Sequence, residues 1–106
     1  MKEKISITQV KKDLSLIKDY YMYEKEFGKT NENLTAFFAG KIKLYNRMVK
    51  FTPIPLQVLY FNLYVNGLTQ ESLANKMCYT RETVNNFNKR LINFFHSMMN
   101  INDFVI

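Results

Sequence analysis

Apolar residues recur along much of this chain at spacings of three and four. Ile7, Val10, Leu14, Ile17 and Tyr21 follow one another at 3, 4, 3 and 4, the repeat of one face of an α-helix. Thr8 can cap that helix, which is expected to run to about Phe27. Lys11, Lys12, Lys18 and Lys25 lie off the apolar seam. The seam lasts barely two heptads, which suits packing within the domain or a short dimerising coiled coil. Gly28-Lys29-Thr30-Asn31 breaks the pattern. A second helix is expected from a cap at Asn33 to about Lys50, with Leu34, Phe37, Phe38, Tyr45, Met48 and Val49 on one side. Lys43, Arg47 and Lys50 fall on the other, and Gly40 weakens the helix by about 1 kcal/mol. Together the two make an N-terminal helical hairpin over residues 1–51.

Phe51-Thr52-Pro53-Ile54-Pro55 is the sharpest boundary, because proline disfavours helix in the residue before it while fitting the first turn of the next. Leu56, Leu59, Tyr60, Leu63 and Tyr64 then mark a third helix, ended by Asn66-Gly67. Thr69 caps a short fourth helix with Ser72 at the capping-box position. Leu73, Ala74 and Met77 are expected to face inward. Cys78-Tyr79 makes a turn, and Thr80 caps a fifth helix whose buried stripe is Val84, Phe87, Leu91, Phe95 and Met98. Ile101, Phe104, Val105 and Ile106 form an apolar tail suited to docking. The expected fold class is all-α, and residues 52–106 have the layout of a helix-turn-helix.

Composition narrows the class. With 106 residues, 47% of them hydrophobic, the chain can bury one modest core. Only 3 Gly and 2 Pro argue against a turn-rich β-protein. The net charge of +6 favours polyanions as partners. It is unevenly placed: residues 1–51 hold 11 Lys/Arg against 6 Asp/Glu, and residues 52–106 hold 4 against 3. One cysteine excludes an intramolecular disulfide and a cysteine-rich zinc site. No apolar run is long enough to span a membrane, and a cytoplasmic, bacterial setting is expected.

The chemistry on offer is recognition, not catalysis. His96 is the single histidine and has no second ligand at metal spacing. Cys78 has no paired base. Gly28-Lys29-Thr30 lacks the upstream glycine of a phosphate loop. No enzyme, metal or cofactor is expected. Tyr20-Tyr21, Phe37-Phe38 and Phe94-Phe95 can stack on single-stranded bases, but in helical pairs one member of each is more simply core. A helix set into the major groove of DNA must be anchored on one side and polar on the other near its N-terminus. Val84, Phe87 and Leu91 supply the anchor. Arg81, Glu82, Asn85 and Asn86 are the candidate base readers, since Arg pairs with guanine, Asn with adenine, and Glu accepts from cytosine. Lys76, Thr83, Lys89 and Arg90 suit backbone phosphates. Lys43, Arg47 and Lys50 would add to them if the second helix docked beside the motif. A homodimer, through the first helix or the tail, would lengthen the site read.

The segment Gly67-Leu68-Thr69, Glu71-Ser72-Leu73-Ala74, Thr80 and Arg81-Glu82-Thr83-Val84 resembles region four of bacterial sigma factors. In that family the residues matching Arg81 and Glu82 read a promoter element. Leu59-Tyr60, Tyr64-Val65-Asn66-Gly67-Leu68, Met77-Cys78-Tyr79-Thr80-Arg81 and Val84 resemble, more closely still, phage and mobile-element regulators of the ArpU and RinA type. The resemblance covers roughly 40 residues and implies sequence-specific binding of double-stranded DNA in transcription regulation. Two departures stand out. Cys78 replaces the usual turn glycine, which implies a different or strained turn. Asn85 and Asn86 stand where sigma factors often have Arg or Gln, so the target sequence does not carry over. The alternative from another class is a protein-interaction module that keeps the motif as scaffold. It would contact RNA polymerase, a sigma factor or another phage protein through Tyr20, Tyr21 and the tail from Phe104 to Ile106.

Overall fold

A computed structural model describes the backbone at residues 5–27 and 32–101, and side chains at 5–25 and 38–101. Among these residues the fold is all-α: α1 (Ile7–Phe27), α2 (Glu32–Val49), α3 (Ile54–Tyr60, continued by a π-helical turn at Phe61–Val65), α4 (Gln70–Met77) and α5 (Arg81–Met99).

The cap of α1 is Ser6, not Thr8: its Oγ accepts from the Gln9 backbone N–H at 3.1 Å. Ser6 and Thr8 are both good capping residues, and only the turn actually formed separates them. Val10, Leu14 and Ile17 are buried in the chain's own core, whereas Ile7 is exposed. The seam therefore packs within the domain, and its middle is not open to a coiled-coil partner.

Beside that seam lies a charge that its spacing places on the same face. Asp13 is 3% exposed. Its carboxylate accepts from Lys41 Nζ at 2.6 Å, from the Tyr45 hydroxyl at 2.7 Å and from Gln9 Nε2 at 2.9 Å. A buried carboxylate is tolerable only when so compensated, and this cluster ties α1 to α2. On α2, Leu44, Tyr45, Met48 and Val49 are buried, while Lys43, Arg47 and Lys50 are exposed. Leu34 and Phe37 lie outside the described side chains.

Three aromatic rings join the two halves of the chain. Tyr45, Tyr60 and Phe95 are fully buried. Phe95 meets the other two edge-on, at 4.9 Å and 5.8 Å between centroids, a favoured aromatic geometry. The Tyr60 hydroxyl donates to Asn46 Oδ1 at 2.9 Å. One apolar core thus takes residues from both sides of the proline boundary. That boundary forms as its prolines require: Pro53 precedes the first residue of α3 and Pro55 sits in its first turn. The buried Thr52 hydroxyl donates to the Val49 carbonyl, and Gln57 Nε2 donates back to the Thr52 carbonyl.

The π turn has a local cause. Asn62 Nδ2 donates to the Val58 carbonyl at 2.8 Å, the acceptor that an α-helix would give to the Asn62 backbone N–H. The ladder shifts by one residue, and the Asn66 N–H reaches the Phe61 carbonyl at 2.8 Å. Gly67 follows at φ +74°, where a Cβ would also collide with the Met22 sulfur of α1. This position needs glycine both for its backbone and for the close approach of α1.

The ends of the described chain are held together. The Ile5 N–H donates to Asn100 Oδ1 at 3.3 Å, and Asn100 Nδ2 donates to the Ile5 carbonyl at 3.2 Å. Because residue 5 meets residue 100 while Lys11 and Lys89 line one groove, α1 runs antiparallel along the C-terminal half of α5. The tail beyond Ile101 lies outside the described residues.

Candidate nucleic-acid interface

The surface formed by α4, the turn and the start of α5 is built from local signals. Thr69 Oγ1 accepts from the Ser72 N–H at 3.0 Å, satisfying a donor that the first turn of α4 leaves open. Leu73 and Ala74 are buried, and small Ala74 permits the close contact between α4 and α5. Met77, expected inward, is instead exposed. It sits at the rim of an apolar crevice lined also by Pro55, Val58, Leu59, Tyr79 and Phe87, because α4 ends there and its last side chain is covered on one side only.

Cys78 takes the conformation that glycine would take. Its φ of 58° and ψ of 33° are left-handed, and it is the one described non-glycine residue with positive φ. The turn is therefore kept and its side chain strained, at a cost of about 1–2 kcal/mol. The left-handed residue lets the Tyr79 N–H reach the Ala74 carbonyl at 2.9 Å, closing the end of α4. Tyr79 then packs edge-on to Phe87, 5.7 Å between centroids. Sequence reasoning gave Tyr79 no such role; its signal is an aromatic in a turn eight residues before a ring on the anchored face.

Thr80 caps α5 as expected, accepting from the Thr83 N–H at 3.1 Å. Val84, Leu91, Ile92, Phe95 and Met98 are buried, and Phe87 is partly covered. Ile92 joins this flank although the five-residue stripe omits it. A hydrogen bond from the Tyr64 hydroxyl to Asn88 Oδ1 fixes α5 against the π turn. Burial pushes the Tyr64 phenol up to about 12, a rise that the Asn88 hydrogen bond only partly opposes.

The opposite side of α5 is polar. Glu82, Asn86, Lys89 and Asn93, spaced 4, 3 and 4, are all exposed and form one ridge. Arg81 is exposed and Asn85 half-buried along the flank of that ridge. No side-chain hydrogen bond or ion pair joins any of these six to another described residue. The candidate base readers are thus brought together on an accessible surface. Asn93 continues this ridge one turn beyond Lys89, about 16 Å along the axis from Glu82.

The expected phosphate contacts are less uniform. Lys76 is exposed at the last turn of α4, and Lys89 stands on the ridge. Arg90 is exposed with its guanidinium 5.9 Å from the Phe87 ring centre, a cation–π distance. Thr83 is half-buried and its hydroxyl is shared with that of Thr80 at 2.8 Å, so its first task is the cap. The contact of α2 with α5 includes Tyr45 on Phe95, about 21 Å along the axis from Arg81 at 1.5 Å per residue. Lys43, Arg47 and Lys50 are therefore carried by a helix docked toward the far end of α5, not by one docked on α4.

Among the described residues no group of His, Cys, Asp or Glu is arranged to hold a metal ion, and no helix is long and apolar enough to cross a membrane. No family model, curated protein or solved structure matches the chain.

Proposed function

We propose that this chain is a sequence-specific double-stranded DNA-binding transcriptional regulator, of the phage or mobile-element kind that its α3–α5 segment resembles. The observation that carries the reading is the polar ridge of α5: anchored through Val84 and Leu91, capped by Thr80, and with no side-chain partner among the described residues for Arg81, Glu82, Asn85 and Asn86. Such a helix has about the 10–12 Å diameter that the major groove admits. Arg81, Glu82, Asn85 and Asn86 then address base edges. Lys76, Lys89 and Arg90 address phosphates, with Thr83 contributing from the cap. Two copies on a palindromic site would double the sequence read, and with the α1 seam buried their interface falls elsewhere.

Titration with mixed genomic DNA at two salt concentrations tests this. A complex that survives competitor at the higher salt supports the reading, and its absence at both overturns it. Arg81→Ala is expected to weaken binding to a selected site by about 1–3 kcal/mol while leaving the melting curve nearly unchanged.

A second reading, a protein-interaction module, draws on a different observation. Phe51 is 65% and Ile54 72% exposed at the α2–α3 corner, with exposed Phe61 on the following turn. Exposed large apolar side chains of this kind suit a protein partner, RNA polymerase or a sigma factor included. The sequence-expected contact residues fit less well. Tyr20 and Tyr21 are half-buried, with Tyr20 packed at 5.5 Å on both Tyr21 and Phe38, and the tail from Phe104 to Ile106 lies outside the described residues.

A further inference from the structure

The groove between α1 and α5 holds two cations from opposite ends of the sequence. Lys11 and Lys89 line it together with Ile7, Ile92 and Asn93. The lining contains no carboxylate, and neither ammonium has an ion-pair partner among the described residues. Folding therefore gathers like charges around one depression with no counter-charge among the described residues, an arrangement that is unfavourable alone and attractive to an anion. The contrast with Lys41 is instructive, since that lysine is matched to Asp13 at 2.6 Å.

Position says which anion. Lys89 and Asn93 belong to the exposed ridge of α5, so the groove is the ridge's own border on the side covered by α1. A helix seated in the major groove nearly fills its ≈ 12 Å width, which brings the flanks of that helix against the phosphate strands. The two apolar side chains of the lining, Ile7 and Ile92, offer no hydrogen bond to a base edge. Ammonium groups on flexible stems suit phosphate oxygens approached from the side.

We propose that Lys11 and Lys89 form a two-helix clamp on one backbone phosphate strand of the bound duplex, with α1 acting as part of the DNA interface as well as a packing helix. This rests on the double-stranded DNA reading above. It also answers the low charge of the 52–106 segment: part of the phosphate grip comes from the basic first half of the chain, delivered by the antiparallel course of α1 along α5.

The test is a salt titration of binding to a duplex of about 30 base pairs recovered by selection from a random pool, followed by fluorescence anisotropy between about 50 and 200 mM salt. The slope of log K against log salt falls by about 0.9 for each phosphate contact removed. Lys11→Ala and Lys89→Ala are each expected to lower the slope by about one and the double variant by about two, with unchanged melting curves. Lys25→Ala, an exposed lysine near the other end of α1, is expected to leave it unchanged. A complex whose slope is the same in Lys11→Ala as in wild type overturns the clamp and leaves the DNA reading standing. Absence of any wild-type complex at the lower salt overturns both. An equal drop for Lys25→Ala would mean diffuse attraction, and would also overturn the clamp.

Discussion

Asp13 on α1 and Asn86 on α5 are both polar residues on long amphipathic helices, and they could hardly be used more differently. Asp13 is buried, and three donors from its own chain surround its carboxylate. Asn86 is exposed, and neither it nor its ridge neighbours Glu82, Lys89 and Asn93 engage a described side chain. Polar groups that fold stability requires are satisfied internally, since a buried unmet donor or acceptor costs about 1–3 kcal/mol. Polar groups left unsatisfied at the surface cost the fold almost nothing and remain available to a partner. Under the proposed DNA-binding function, the two regions are expected to separate by what their removal does: loss of stability for one, loss of binding for the other.

The largest effect that sharpens this comparison is set by pH. Burial raises the phenols of Tyr45, Tyr60 and Tyr64 above their ordinary value of 10, and the Asp13 contact adds to the rise at Tyr45. The folded state then holds protons that the unfolded chain releases. Stability from these groups is complete below about pH 10 and declines as pH rises through the folded values. The loss is expected to approach about 1.4 kcal/mol per pH unit for each tyrosine, or about 4 for the three together. Chemical denaturation between pH 9 and 12 checks it, and a flat profile would mean the ring cluster is not closed to solvent.

Next in size is Asp13→Ala, which strands the Tyr45 hydroxyl in the core. Because Lys41 is partly exposed it can turn to water, so the expected loss is about 2–3 kcal/mol, with no change in DNA discrimination beyond that from unfolding. Arg81→Ala is the mirror experiment: binding lost, stability within about 0.5 kcal/mol. A variant at either place that moved both quantities together would break the division. The smallest effect lies in the turn between α4 and α5. Cys78→Gly removes the left-handed strain and is expected to raise stability by about 1 kcal/mol, read as a higher midpoint of denaturation.

Much of this layout is legible in the sequence because its strongest signals are local. The two prolines before α3, Asn66-Gly67 after it, and the capping threonines at 69 and 80 each fix one boundary by short-range chemistry. The buried stripes of α1 and α5 follow from 3.6-residue spacing. What escaped depends on local competitions that spacing does not decide, or on contacts made across the chain. The π turn arises because the Asn62 amide takes the Val58 carbonyl, a competition that any helical asparagine can lose or win. Spacing tells which face of α1 Asp13 occupies but not that Tyr45 and Lys41 meet it there. Ser6 and Thr8 are equivalent as caps until the turn forms. In the candidate site, Arg81 through Asn86 were found by residue type at the start of a capped helix. The meeting of Lys11 with Lys89 was not, because only the antiparallel docking of α1 on α5 brings them together.

The central proposition is that the outward side of α5 distinguishes one duplex sequence from another. Selection of bound duplexes from a random pool by wild type and by an Asn86→Ala variant measures this directly. The expected result is an enriched motif for wild type that loses information at one or two positions in the variant, with folding intact. No enrichment, or the same motif from both, would contradict it.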